Sequence, residues 1–270
     1  MFTKKQFFYN CLGFFVLVSL VFLVCLAQGA GQLTAESAII IGADNQKIYY
    51  RKNIEKRLPV ASTVKVLTAV IIREKLELEK KIPITKRASG IAPSKAYLAY
   101  GVVYKVKDLL KCFLMSSAND AGVALAEAIA PTEFDFSLLM NKKAQTWGAK
   151  NSFFLNATGL PEHKKRQYST VYDLSIFMHK FLEYPELIQI METKQASIIG
   201  SDAKIIEIRN HNKFLWKKSN DLIGKTGYTN KAKHCFLGVF SQGKKKLIIA
   251  ILGSRKPWDD LAYLINKKYN

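Results

Sequence analysis

Carboxylates are the scarce charge in this sequence. Across 270 residues, 21 Asp and Glu stand against 41 Lys and Arg, a formal net charge of +20. Such a surface favours polyanionic partners: nucleic acid, anionic lipid or wall polymer. The lysines are scattered in small groups (Lys164–Arg166, Lys217–Lys218, Lys244–Lys246, Lys267–Lys268), the pattern of a well-solvated surface rather than one binding stripe. Cysteine is nearly absent as well. Cys11 and Cys25 fall in the first 27 residues, and Cys112 and Cys235 sit in the apolar segments KCFLM and HCFLGVF. A buried free thiol is the commoner state there, so no disulfide is expected. There is no G-x-S-x-G, which argues against a histidine-assisted serine hydrolase. His163, His179, His211 and His234 show no H-E-x-x-H or other metal spacing, and each reads as a surface or packing residue. Low-complexity tracts, internal repeats and long linkers are also missing. With 49% hydrophobic and 23% charged residues, the chain can bury a large core and is not a disordered polymer.

Charge is missing locally too. Lys4 and Lys5 precede an uncharged stretch from Gln6 to Ala35, whose apolar heart is Leu12 to Ala27. A basic start, an apolar run and a small-residue exit describe an export signal, with Cys25 and Ala27 before the cut. The same run is long enough for an uncleaved membrane anchor. Residues 1–27 are therefore expected to be a signal peptide or N-terminal anchor, and residues 33–270 an exported domain, in the periplasm or on the outer face of the cytoplasmic membrane. Export argues against nucleic acid and leaves anionic lipid or wall polymer to account for the charge.

Strand-like segments open the body at Ser37–Ile41 and Lys47–Tyr50, separated by a turn at Ala43-Asp44-Asn45-Gln46. Val60, Val64, Leu67 and Ile71 recur at helical spacing and predict a buried helix over about 60–75. Further helices are expected from Leu109 to Met115 and from Ala121 to Ala130. Thr132 with Asp135 and Thr170 with Asp173 make capping-box patterns for two more, reaching Trp147 and about Glu183. Strand-like runs return at Ile205–Arg209, Leu222–Gly227, His234–Phe240 and Leu247–Leu252, and a short helix near Trp258–Lys267 closes the chain. Strands at both ends around a helical middle predict an α+β fold, an antiparallel sheet packed against helices with a helical subdomain.

Three short motifs carry the chemistry. Ser62-Thr63-Val64-Lys65 lies at the head of the buried helix, where i, i+3 spacing puts both side chains on one face. The helix N-terminus would stabilise an oxyanion beside Ser62, and burial can hold Lys65 neutral so that it acts as a base. S-x-x-K also occurs at Ser201–Lys204 and Ser241–Lys244, so the motif alone is weak. Ser117-Ala118-Asn119 falls in the break between two predicted helices, and in isolation it reads as a capping turn. Lys225-Thr226-Gly227 ends a strand-like run before Tyr228. A cation beside a hydroxyl can hold a carboxylate, and the glycine lets an extended peptide lie against the strand edge. S-x-N and K-T-G each occur once, and both follow Ser62 in order.

S-x-x-K, S-D-N and K-T-G mark β-lactamases and penicillin-binding proteins; here the middle element is SAN. The chain resembles the serine D-alanyl-D-alanine carboxypeptidases, the low-molecular-weight penicillin-binding proteins. The likeness runs over about residues 35–253 through SAIIIGADNQKIYYRKNIEKRLPVASTVKVLTA, LLKCFLMSSANDAGVALAEA, FFLNATGLPEHKKRQYSTVYDL and IGKTGYTNKAKHCFLGVF. It departs at Ala88–Ser94, which matches loosely, and the sequence stops soon after the last strand. No β-rich second domain of the kind many relatives carry is therefore expected. The resemblance implies the β-lactamase/transpeptidase-like fold, with Ser62 as nucleophile, Lys65 as base and Ser117 passing the proton to the leaving amine. Asn119 would hold the substrate amide, Lys225 and Thr226 its carboxylate, and the N–H groups of Ser62 and Tyr228 the oxyanion beside Gly227. It implies stem peptides ending in D-Ala-D-Ala as substrate, β-lactams as covalent inhibitors, and no cofactor. A D,D-endopeptidase of the same family remains open. A class A β-lactamase lacks support, since no E-x-x-L-N follows Asn119 before Lys225. A non-catalytic wall-binding protein fits the charge but not the three intact motifs.

Overall fold

The computed structural model describes residues 33–162, 166–217 and 221–267. The expected leader over 1–27 lies outside them, as do His163, Lys164, Lys165, Lys218 and Lys268. Among the described residues no helix is long and apolar enough to cross a membrane.

A five-stranded antiparallel sheet runs in the order β2-β1-β9-β8-β7. It joins β1 (Ser37–Gly42) and β2 (Ile48–Lys52) from the start of the body to β7 (Leu222–Thr229), β8 (Lys233–Gln242) and β9 (Lys245–Ser254) from its end. The unbroken apolar runs of β1 and β9 place these strands in the middle, covered on both faces. Alternation then divides their side chains. Ile39, Ile41, Leu237, Ile248 and Ala250 join the main core. Their neighbours Ile40, Phe236, Ile249 and Ile251 are buried outside that cluster, on the side where Leu261 and Leu264 of α8 (Pro257–Ile265) are also buried. Strand β7 is left as an edge.

The helical middle fills the main core. α1 (Lys65–Lys75) is buried all round from Lys65 to Ile72, the mark of a central helix. Around it lie α3 (Val106–Met115), α4 (Asn119–Glu127), α5 (Glu133–Thr146) and α6 (Val171–Phe181). Thr132 and Thr170 cap the last two by accepting from the backbone N–H groups of Asp135 (3.1 Å) and Asp173 (3.0 Å), as their spacing predicts. Cys112 and Cys235 are buried free thiols.

Several elements differ from expectation. The helix over 60–75 starts as a 3-10 turn, Ala61–Val64, and becomes α-helical only at Lys65. The helix expected from Ala121 begins at Asn119. Two hairpins, β3 (Lys81–Pro83) with β4 (Val103–Lys105) and β5 (Gln195–Ile199) with β6 (Ile205–Arg209), add pairings the sequence reading lacked. So do α2 (Lys86–Gly90) and α7 (Pro185–Glu192).

One buried carboxylate ties the two ends of the body together. Asp260, at the start of α8, accepts from the N–H and hydroxyl of Thr34 (both 2.7 Å) and from the Ser254 hydroxyl (2.6 Å). Asp260→Ala leaves these donors without their acceptor. It is expected to destabilise the fold by about 2–3 kcal/mol in urea denaturation, whereas Asp260→Asn keeps part of the network and costs less. An unchanged midpoint for the alanine variant would contradict this.

Candidate active site

The turn carrying Ser62 is held from below and pinched from both sides. Thr63 Oγ1 donates to the Val60 carbonyl at 2.7 Å, and Ala61 takes a left-handed φ of +46°. Three residues per turn bring Ser62 and Lys65 into line on one face of the turn. Ser62 is half-buried and faces a cleft; Lys65 beneath it is fully buried. Two glycines flank the turn. A Cβ on Gly159, whose φ is +84°, would lie 2.0 Å from the Ala61 carbonyl oxygen, and one on Gly227 would lie 2.9 Å from the Ser62 nitrogen. Only glycine permits these approaches.

Lys65 Nζ donates to Asn119 Oδ1 at 2.6 Å and to the Thr158 carbonyl at 3.0 Å, and lies 4.9 Å from the Phe113 ring centroid. Its pKa is held well below the usual lysine range, first by burial and second by the nearby Lys225 charge, against the opposing pull of Glu133 and Asp120. Burial alone lowers Lys225 to about 7. Lys225 Nζ donates to the Thr226 carbonyl at 2.9 Å. Among the described residues neither amine has a carboxylate within salt-bridge reach, so the loss of water outweighs the more distant opposing charges. The other two S-x-x-K matches differ: Ser201, Lys204, Ser241 and Lys244 are all exposed.

The cleft in front of Ser62 measures about 380 Å³ and is lined by Ser117, Asn119, Thr226, Gly227, Tyr228 and others. The structure thus brings all three motifs to one place. Ser117 has a φ of +62° in the loop between α3 and α4, and Ala118, not Ser117 or Asn119, occupies the cap position of α4. Asn119 is almost fully buried, and its amide serves the protein: besides accepting from Lys65, Nδ2 donates to the Ala92 carbonyl at 3.1 Å. Thr226 and Gly227 lie on the free edge of β7. Tyr228 is half-exposed, with its ring 4.6 Å from that of His234.

Other residues that build the site escaped the sequence reading. Asp120, fully buried, accepts from the backbone N–H groups of Ala96, Leu98 and Ala121 and so fixes the loop that carries Pro93 and Ser94 along the cleft. Glu133 accepts from the Ala157 N–H at 3.0 Å and from Arg87 at 3.1 Å, and burial raises its pKa. Asn156 Oδ1 accepts from the Gly159 N–H at 2.8 Å. These bonds set the loop whose Thr158 carbonyl meets Lys65. The one signal in the sequence was NATG, inside the FFLNATGL stretch of the family likeness. His211 also lines the cleft, its pKa lowered by burial and then by Lys225. Among the described residues no three His, Cys, Asp or Glu side chains cluster to hold a metal.

This geometry has known counterparts. The sequence profile of the D-alanyl-D-alanine carboxypeptidases, peptidase family S11, matches residues 25–256. The chain is 34% identical over 229 residues to the D-alanyl-D-alanine carboxypeptidase DacF of Bacillus subtilis, covering 83% of this chain and 58% of the relative. It is 30% identical over 210 residues to a D-alanyl-D-alanine endopeptidase of Pseudomonas aeruginosa, covering 76% of this chain and 67% of the relative. A penicillin-binding protein of Listeria monocytogenes, solved in an ampicillin-bound form, superposes with a TM-score of 0.76 at 26% identity, covering 86% of this chain and 96% of that one. The chain thus spans little more than half the length of the Bacillus relative, but the profile takes in the sheet, the helical middle and all three motifs. The chain belongs to the D-alanyl-D-alanine carboxypeptidase family of serine peptidases.

Proposed function

We propose that the chain is a serine D-alanyl-D-alanine carboxypeptidase that acts on exported stem peptides through an acyl-enzyme on Ser62. The observation that carries this reading is a half-buried serine on a glycine-pinched turn, beside a buried lysine with no carboxylate within salt-bridge reach among the described residues. A neutral amine has two N–H bonds and one lone pair. Asn119 Oδ1 and the Thr158 carbonyl accept both N–H bonds, which leaves the lone pair of Lys65 for the Ser62 proton. The substrate lies as an added strand along the free edge of β7, its terminal carboxylate at Lys225 and Thr226. Ser62 Oγ attacks the carbonyl between the two D-alanines, and the Ser62 and Tyr228 N–H groups receive the oxyanion. The proton passes through Ser117 to the departing D-alanine amine, and water then hydrolyses the ester. The uncharged stretch from Gln6 to Ala35 supports export to the outer face of the cytoplasmic membrane, where such peptides are found. The surplus of Lys and Arg supports contact with anionic lipid or wall polymer there. The ampicillin-bound Listeria relative supports β-lactams as acylating inhibitors. The endopeptidase name of the Pseudomonas relative keeps cleavage of cross-linked dimers as the second reading.

Labelled penicillin should acylate the protein, and Ser62→Ala should abolish the label and lower D-alanine release at least about 100-fold. Label surviving on the variant refutes the assignment, and rapid nitrocefin turnover in place of a lasting adduct would favour a β-lactamase. Mass spectrometry of purified muropeptides separates the two peptidase readings: loss of one D-alanine from pentapeptide against cleavage of cross-linked dimers.

The two lysines also fix the sign of the pH dependence. The rate rises with the fraction of neutral Lys65, whose pKa burial and the Lys225 charge hold down. Above about 7, Lys225 loses the charge that anchors the carboxylate and helps keep Lys65 neutral. The expected kcat/KM profile is a bell whose alkaline limb belongs to Lys225, because kcat/KM reports groups of the free enzyme. Lys225→Arg keeps a cation at that position and should move the alkaline limb upward. A limb that stays in place would assign it to another group.

A further inference from the structure

Glu133 opens α5, is only 4% exposed, and takes no part in the steps above. A carboxylate is costly to bury unless it is paired and hydrogen-bonded, and Glu133 is both. Oε2 accepts from Arg87 of α2 at 3.1 Å, and Oε1 accepts from the Ala157 N–H at 3.0 Å. Arg87 is half-exposed and also lies 3.6 Å from Glu127, so one guanidinium links the buried carboxylate to the surface.

The Ala157 peptide carries that placement to Lys65. Its N–H is held by Glu133, and its carbonyl accepts from Thr68 Oγ1 at 2.8 Å. Thr68 lies one turn beyond Lys65 on α1. The next carbonyl of the loop, that of Thr158, accepts from Lys65 Nζ at 3.0 Å. A peptide fixed at both ends leaves that carbonyl little freedom to swing away from the amine.

The charges that act on the amine come from three elements. Lys225 of β7 favours loss of its proton, whereas Glu133 of α5 and then Asp120 of α4 favour keeping it. From α3 the amine meets the uncharged Phe113 ring. Asp120 is spent on the backbone of the cleft wall, and Arg87 offsets part of the Glu133 charge from the far side.

We infer that Glu133 is a positioning residue for the proposed base. Its charge keeps Lys65 basic enough to take the Ser62 proton near neutral pH, and its bond to Ala157 keeps the Thr158 carbonyl on the amine. A base weakened only by burial would be neutral yet slow to accept a proton, because the best general base titrates near the working pH. A carboxylate beyond salt-bridge reach restores part of that strength without locking the amine as a cation.

This inference rests on the carboxypeptidase reading, and its test separates the two. Acylation of the full chain by labelled penicillin is followed as a rate constant across the acid and neutral range. Glu133→Gln keeps the length of the side chain and an acceptor for Ala157 but removes the charge. Glu133→Asp keeps the charge and is too short for both bonds. For Glu133→Gln the acid limb should fall at least about half a pH unit below that of the unaltered chain, with a lower plateau. Glu133→Asp should lower the plateau and move the limb less. A merely structural role would lower both plateaus and leave the limb in place, and the position of the limb, unlike its height, does not depend on how much of a variant is folded. A limb that stays or rises in Glu133→Gln, or that falls as far in Glu133→Asp, overturns the inference and leaves the carboxypeptidase reading standing. An unaltered chain with no acid limb does the same. Acylation that survives Ser62→Ala overturns that reading and this inference with it.

Discussion

The amine of Lys65 is taken out of water with no carboxylate beside it, and the rest of the site is arranged around that fact. A lysine with a counter-ion would stay a cation; burial among Phe113, Asn119 and the Thr158 carbonyl, with Lys225 nearby, lowers the pKa of this one, as the base we propose requires. The cost is met by the helical core. α1 is enclosed from Lys65 to Ile72, and the apolar helices around it keep the amine in place as they exclude solvent. Glu133 and Asp120 lie close enough to pull the other way, but each carboxylate is committed elsewhere, Glu133 to Ala157 and Arg87, Asp120 to three backbone N–H groups.

Those same bonds shape the cleft. Asp120 fixes one wall, and Asn156 with Glu133 fixes the loop that holds Thr158 and Gly159. The Ser62 turn is thus clamped between a loop on one side and a sheet edge on the other, with glycine at both contacts. Because β7 ends the strand order, its outer N–H and C=O groups are available to an extended peptide. The sheet supplies a free edge, the helical layer buries Lys65, and Ser62 sits where the two meet.

Much of this was legible in the sequence. The runs AIII in β1 and LIIAIL in β9 are apolar without a break because those strands are covered on both faces, and such runs are hard to mistake. Thr132 and Thr170 announced their helices through local bonds. β6 was expected at Ile205–Arg209, but its partner β5 and the hairpin β3–β4 were not legible, since strands of three to five residues with mixed burial carry little periodicity and exist by packing. α7 begins at a proline and runs only eight residues, too short to show an amphipathic period against the strand-like run that follows. The 3-10 start of the Ser62 helix was hidden for a different reason: the glycines that leave room against it, Gly159 and Gly227, lie far along the chain.

By itself the sequence determined the order of elements, the three motifs and the family they resemble, because each is written in neighbouring residues. Tertiary structure decided which of three S-x-x-K matches is chemically competent. Ser201–Lys204 and Ser241–Lys244 keep their lysines in water, while Ser62–Lys65 is roofed by helices and loops from distant parts of the chain. It also decided that Asn119 holds the Lys65 amine, and that a charged pocket opens beside Thr229. Burial and convergence depend on contacts between residues far apart in sequence, and no local pattern encodes them.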